Sequence, residues 1–205
     1  MRYLLFISFL ALCSCSSEYR KMRKVSGDTG CIQKFKPVFQ GTTYRTTVDV
    51  VGKHLSGLVL IKVMPDSSTR VVFTSEIGFK FFDFGFSKDS GFKVYYIIQQ
   101  MDKQAVITTL RKDFELIMMY HTATEGSFIL KDAEKYYYGF PQEKGYDFYI
   151  ADSSCSQLMG MQRSSKRKAV VEAIMYGVDN SVPDTIGITH KNFNFTIGLK
   201  RIEKK

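Results

Sequence analysis

Apolar and polar positions alternate through much of the first half of the chain. In residues 43–50, Tyr44, Val48 and Val50 fall on one side and Arg45, Thr47 and Asp49 on the other. That period of two is the mark of a half-buried strand. Residues 55–64, 69–74, 78–87 and 92–100 read as further strands. Turn residues separate them at Gly52-Lys53-His54, at Met64-Pro65-Asp66-Ser67-Ser68 and at Lys88-Asp89-Ser90-Gly91. Connections this short predict an antiparallel meander.

The period then changes. Val106, Leu110, Phe114 and Ile117 recur at helical spacing, behind Asp102 as an N-cap. Lys103, Arg111, Lys112 and Glu115 supply the wet face, so a helix is predicted over 103–121. Strands resume at 126–138, 145–151, 156–163, 170–177, 184–189 and 194–202, the last two joined by a turn at His190-Lys191-Asn192. The pattern therefore predicts a mainly β fold of ten or eleven antiparallel strands with a covering helix. A sheet that large curls around whatever covers it.

One segment departs from simple alternation. Residues 77–98 hold Phe79, Phe81, Phe82, Phe84, Phe86, Phe92, Tyr95 and Tyr96, together with Ile77, Val94, Ile97 and Ile98. Alternation points Phe79 and Phe81 one way and Phe82, Phe84 and Phe86 the other, so both faces are oily and both need cover. The helix can cover one. The other meets more protein, a partner or an apolar ligand, because a large exposed aromatic patch marks a binding site. Two readings stand. The rings are plain core, or Phe79, Phe81, Phe82, Phe84, Phe86 and Tyr96 line a cavity with Leu110, Phe114 and Met118 of the helix. Met119, Met159, Met161 and Met175 serve either reading, as adaptable lining or as gap fillers.

The N-terminus adds a destination. Arg2 precedes an apolar run of about nine residues, far short of the roughly 20 that span a bilayer. A charged start, a short apolar core and small residues after it describe a secretory signal. Leu12-Cys13-Ser14-Cys15 resembles the bacterial lipobox. Reading Cys13 as the modified residue puts bulky Leu12 just before it, so Cys15 is the expected lipidation site. The chain divides into a signal peptide at 1–14, a lipidated and flexible tether at 15–30, and one domain at 31–205. Lysine and arginine outnumber aspartate and glutamate by 29 to 20. Arg20, Lys21, Arg23 and Lys24 follow the lipid site and either rest on anionic headgroups or belong to a solvated tether. An exported chain with scattered basic residues predicts no nucleic-acid partner. Cys31 and Cys155 form an even pair in an oxidising compartment, either as a disulfide or as two buried thiols.

Candidate chemistry is sparse. His54, His121 and His190 sit in different elements, with no nucleophile motif near them. Asp113 and Glu115 are two residues apart on the helix and share no face. No phosphate loop or metal-ligand spacing occurs. The expectation is a protein that is not an enzyme and uses no cofactor and no metal.

Three stretches carry a resemblance to the LolA/LolB superfamily of lipoprotein carriers and receptors. The first is Thr69-Arg70-Val71-Val72-Phe73-Thr74-Ser75-Glu76-Ile77-Gly78-Phe79; the second is Val182-Pro183-Asp184-Thr185-Ile186-Gly187-Ile188 with residues 193–202; the third is the helix at 103–121, placed after the first strands. The resemblance implies an unclosed antiparallel β-barrel of about eleven strands with a helical lid over an apolar cavity for acyl chains. The lipobox at Cys15 is similar to the receptor branch, LolB. It implies lipid anchoring at the outer membrane, facing the periplasm, with lipid acyl chains or lipoprotein cargo and a LolA-like periplasmic carrier as partners. It also implies a protruding loop with an exposed aliphatic residue, here Ile77, with Glu76 and Ile77 standing where the family usually has Pro and Leu. Ile77 is equally readable as the first core residue of its strand. The alternative function is an accessory envelope lipoprotein whose fully packed sheet docks onto another protein.

Overall fold

The computed structural model describes residues 17–179 and 181–202. The expected signal peptide and the lipidation site Cys15 lie outside the described residues. A short strand β1 (Arg23–Val25) precedes a meander of β2 (Gln40–Val50), β3 (Lys53–Val63), β4 (Thr69–Thr74), β5 (Lys80–Ser87) and β6 (Gly91–Ile97). Helix α1 (Gln104–Ile117) follows. A second meander then runs through β7 (Phe128–Asp132), β8 (Lys135–Gln142), β9 (Gly145–Ala151), β10 (Leu158–Ser164), β11 (Ala169–Asp179), β12 (Val182–His190) and β13 (Phe195–Arg201).

The two meanders form one sheet because β13 pairs antiparallel with β2, Ile197 opposite Val48. The strand order is β1-β7-β8-β9-β10-β11-β12-β13-β2-β3-β4-β5-β6. β1 and β6 end the sheet and do not pair with each other, so the barrel is open. The sheet curls around α1. Phe82 of β5 packs edge-on to Phe114 of the helix at 6.0 Å, while the Tyr149 hydroxyl of β9 donates to the Leu116 carbonyl at 3.4 Å. The mainly β, unclosed antiparallel architecture with a covering helix is the one expected. Among the described residues no helix is long and apolar enough to cross a membrane.

The strand count is thirteen rather than about eleven, for two local reasons. Ala133, at a φ of 46°, turns the chain within 126–138 and divides it into β7 and β8. The other extra strand lies in the expected tether. Residues 17–30 are packed rather than free: β1 pairs with β7, Arg23 opposite Lys131. The Ala169 N–H donates to the Glu18 carboxylate at 2.9 Å. Tyr19 lies 4.7 Å from the Phe148 ring on the outer face of the sheet, where Tyr137 and Ile150 join them in a separate apolar cluster. Cys31 and Cys155 are joined by a disulfide across 124 positions, tying the helical turn at Thr29–Phe35 to the loop between β9 and β10.

Helix α1 is shorter than expected and differs at both ends. Lys103, not Asp102, is the N-cap and makes no side-chain capping bond. At the other end Met119 takes a φ of 49°, and the Tyr120 N–H reaches back to the Glu115 carbonyl at 2.9 Å. This left-handed closure satisfies a terminal carbonyl and stops the helix.

Glu115, expected on the wet face, is buried, and so are Asp113 of the same helix and Asp147 of β9. Asp113 is fully buried, with its Oδ2 2.9 Å from His190 Nε2. Burial pushes its carboxyl above the ordinary range, and the His190 hydrogen bond pulls it back only in part. Asp147 is raised for the same reason, against the opposing pull of Arg163. A carboxyl with a raised folded pKa contributes stability below its unfolded pKa and loses it as pH rises through the folded value. The stability that these two carboxyls contribute is therefore expected to decline as pH rises above about 4, against Asp66 and Glu115, which are held low and act in the opposite sense. The Asp113→Asn variant should decline less steeply, as read by urea unfolding across that range. An equal slope in parent and variant would remove Asp113 as a source.

Candidate functional site

The Phe-rich hairpin solves its cover problem differently on its two sides. Phe82, Phe84 and Phe86 point inward and are buried. The outer side is not uniformly oily, because Asp83 and Gly85 stand there. Arg70 donates from Nε and Nη2 to Asp83 Oδ1 at 2.9 and 2.6 Å. The same guanidinium lies 3.6 Å above the Tyr95 ring. Gly85 makes room for that ring: a Cβ there would meet Tyr95 at 2.6 Å. The outer side is thus partly covered by a stack of Arg70 on Tyr95 over Gly85, which leaves Tyr95 and Tyr96 partly exposed.

Phe81 belongs to the inner side with Phe82. Phe73 pairs with Phe82 while Thr74 pairs with Lys80, so Phe81 is the extra residue of a β-bulge. A bulge re-aims a side chain that strict alternation would send outward. Here it sets Phe81 face to face with Phe73, the ring centroids 4.7 Å apart.

These rings form one wall of an apolar groove of about 540 Å³ between α1 and the sheet. Val48, Val59, Phe73 and Ile197 come from β2, β3, β4 and β13; Val106, Leu110 and Phe114 come from the helix. Thr46 and Thr109 add hydroxyls, and Lys53, Gln100 and Phe193 stand among the remaining lining. The groove exists because α1 meets β10 and β11 closely but stands off from β2 and β3. Its size lies within the range of small-molecule sites.

Of the expected lining, Phe81, Phe82, Leu110 and Phe114 are brought together there. The others are corrected. Phe84 stacks on Phe82 at 4.4 Å and is closed off by Phe92 at 5.2 Å, so it is core. Phe86 faces a second cavity, and Met118 is buried in the helix cap without reaching the groove. Tyr96 is on the outer side, with the Lys80 ammonium 5.8 Å above its ring. Phe79 is 54% exposed, beyond the groove itself. Val48 and Ile197 were missed as lining, although their positions follow from the inward phase of strand alternation.

Ile77 is not a core residue. β5 begins at Lys80, and Ile77 projects from the β4–β5 turn with 94% of its surface exposed. Gly78, at a φ of 87°, permits the turn. The turns joining β12 to β13, β2 to β3 and β4 to β5 lie on the same rim, because those strands are neighbours running alternately. Val51, 74% exposed, projects from the second of these turns. Phe79 touches Phe81 edge-on at 5.6 Å, so an apolar path leads from the Ile77 turn to the groove wall.

The second cavity, about 720 Å³, lies between the β5–β6 turn, the end of β8, and the segments beside Gln33 and Thr122. Its lining mixes charged and polar side chains, among them Lys36, Lys88, Arg111, Glu115 and His121, with the rings of Phe86, Phe92, Tyr120 and Phe140. The histidines are dispersed. His54 pairs with Asp49 at 2.7 Å on the surface, His121 approaches Glu115 at 3.5 Å, and His190 pairs with Asp113. Among the described residues no group of three histidine, cysteine, aspartate or glutamate side chains is placed to hold a metal ion.

No family model matches the chain, and no curated protein matches it. Solved structures of similar shape include a DUF1329 family protein from Desulfovibrio piger, at 6% identity and a TM-score of 0.46. Another is a domain from Vibrio parahaemolyticus named for outer membrane lipoprotein sorting, at 7% identity and a TM-score of 0.47. Each match covers 85% of this chain and 90% of the other.

Proposed function

We propose that this chain is a lipid-handling envelope protein that holds acyl chains in the groove beneath α1 and passes them on at the Ile77 rim. The observation that carries this reading is the groove itself: hydrocarbon walls of about 540 Å³, continuous through Phe81 and Phe79 with an exposed aliphatic turn. Burial alone supplies the affinity. Each buried methylene is worth about 0.8 kcal/mol, so about ten supply about 8 kcal/mol before ordering costs. That is the scale of a micromolar complex, tight enough to carry a chain and weak enough to release it to a bilayer. No covalent step, cofactor or metal is needed.

The finer form of the proposal follows the sequence resemblance. The protein is then a LolB-like receptor anchored to the outer membrane through lipid on Cys15, accepting lipoprotein cargo from a LolA-like carrier. The accessory-protein alternative called for a fully packed sheet, and the groove favours ligand binding over it.

Titration of the full chain with a fluorescent fatty acid tests the proposal. Saturable binding is expected, and Leu110→Glu or Val106→Glu should weaken it by about a hundredfold, since each puts a carboxylate into the apolar wall. Absence of saturable binding by the folded parent would refute the groove as a ligand site.

The rim is separable from the groove. Ile77→Glu should leave fatty-acid affinity within about twofold, because the side chain is outside the groove and largely solvated. It should slow transfer of bound probe to liposomes by about tenfold or more, as a charge replaces the apolar contact with the bilayer. Unchanged transfer kinetics would exclude the turn from delivery.

A further inference from the structure

We infer that the second cavity is a binding site for a phosphate ester, independent of the apolar groove. The cavity gathers hydrogen-bond donors that have no acceptors. Lys36 and Lys88 both line it, and among the described residues no carboxylate pairs with either. Gln142 also lines the cavity, and its Nε2 is buried without a hydrogen-bond partner. Arg111 contributes a third permanent cation. Its Nε donates to Glu115 Oε1 at 2.7 Å, which leaves both terminal amino groups for another acceptor.

The acids on the same walls do not cancel this set. Glu115 is already held by Arg111 and His121. Burial raises its pKa, but those two hydrogen bonds and charges outweigh burial and leave it below the ordinary range, an ionised partner already engaged. Glu125 is the remaining carboxylate on the wall. Half-buried Lys36 has its pKa lowered, first by desolvation and then by the neighbouring Lys88 charge. An incoming anion offsets the repulsion between the two ammonium groups.

The chemistry and shape favour phosphate over a simple carboxylate. A phosphate group brings about two negative charges and three strong acceptor oxygens, enough to engage Lys36, Lys88 and Arg111 together. The space is much larger than one phosphate, and Phe86, Phe92, Tyr120 and Phe140 line the rest. The group is therefore an ester whose organic part lies against those rings. A soluble phosphate ester and a phospholipid headgroup share this chemistry.

Two titrations of the full chain separate the sources, one with glycerol 3-phosphate by calorimetry and one with phosphatidic acid vesicles, whose headgroup is also a phosphate monoester, by flotation. Saturable binding of the soluble ester assigns a free metabolite class; binding of vesicles alone assigns a headgroup. In either case Lys36→Ala with Lys88→Glu should weaken binding by about tenfold or more. Lys88→Glu alone, in an exposed turn, should give part of that loss without affecting folding. Lys135→Ala, outside the cavity, should leave affinity unchanged. No binding of either probe, or equal binding by the parent and the folded Lys88→Glu variant, would overturn the site. The fatty-acid titration of the groove reads separately, so failure of one site does not imply failure of the other.

Discussion

Replacing Cys31 and Cys155 by serine is expected to lower the unfolding free energy by about 5 kcal/mol, the chain-entropy value for a cross-link over roughly 125 residues. For a chain of this size that corresponds to a fall in Tm of about 10–20 °C. The reason lies in what the disulfide joins. Cys31 sits in the helical turn at Thr29–Phe35, whose Ile32 is fully buried in the main core, and Cys155 sits beyond β9. Gln33 of the same turn donates from Nε2 to the Thr122 carbonyl at 2.9 Å, closing the chain behind α1. Without the cross-link the N-terminal segment is held by β1, a three-residue strand, by Tyr19 and Glu18 on the outer face, and by the packing of Ile32 and the Gln33 hydrogen bond. Thermal unfolding with and without reductant measures the effect. An unchanged Tm after full reduction would show that packing, not the covalent link, fixes the segment.

Arg163→Met is expected to cost about 3–5 kcal/mol, because it strands a buried carboxylate. Asp147 is fully buried, and Arg163 Nε donates to its Oδ1 at 3.0 Å, with Nη2 at 3.4 Å from Oδ2. The two residues face each other across β9 and β10. Adding Asp147→Leu should restore most of the loss, since an apolar pair of similar volume avoids desolvating either charge. Urea midpoints for the two variants decide the matter. A double variant as unstable as the single one would mean that lost packing, not an uncompensated charge, is responsible.

Much of the architecture was legible because alternation runs unbroken through β3, β13 and residues 43–50 of β2, past the bulge at Gly41, and because Val106, Leu110, Phe114 and Ile117 hold a helical period. The groove was harder to read because its wall depends on breaks in those periods. Alternation sends Phe81 outward, and only the extra residue opposite the Phe73–Thr74 step brings it back beside Phe82. Nothing local to β5 reveals that Asp83 is matched by Arg70 from β4, or that Tyr95 of β6 will lie over Gly85. Long-range contacts also decide the N-terminal segment: Ser17, Glu18 and Gly27 look like linker residues, and the cluster of Tyr137, Phe148 and Ile150, far along the chain, gives Tyr19 somewhere to pack. Asp113 did carry a readable signal. It stands three residues after Leu110 and one before Phe114, on the apolar stripe, where a carboxylate requires a partner such as His190.

The two cavities flank one helix but differ in lining, the first almost wholly apolar and the second a mixture of charged side chains and rings. Leu110 and Phe114 face the hydrocarbon groove, while Arg111 and Glu115 face the charged cavity one residue further on. The helix thus separates an apolar compartment from an anion-seeking one across a single turn.

Photolabelling tests acyl-chain capture most directly. A fatty acid with a diazirine at its terminal carbon is irradiated with the full chain, and the adducts are mapped by mass spectrometry. Adducts are expected within the groove, on residues such as Phe81, Met101, Val106 and Leu110, and should be displaced by excess unlabelled fatty acid. Labelling confined to the outer face, or spread without displacement, would contradict storage of lipid tails beneath α1.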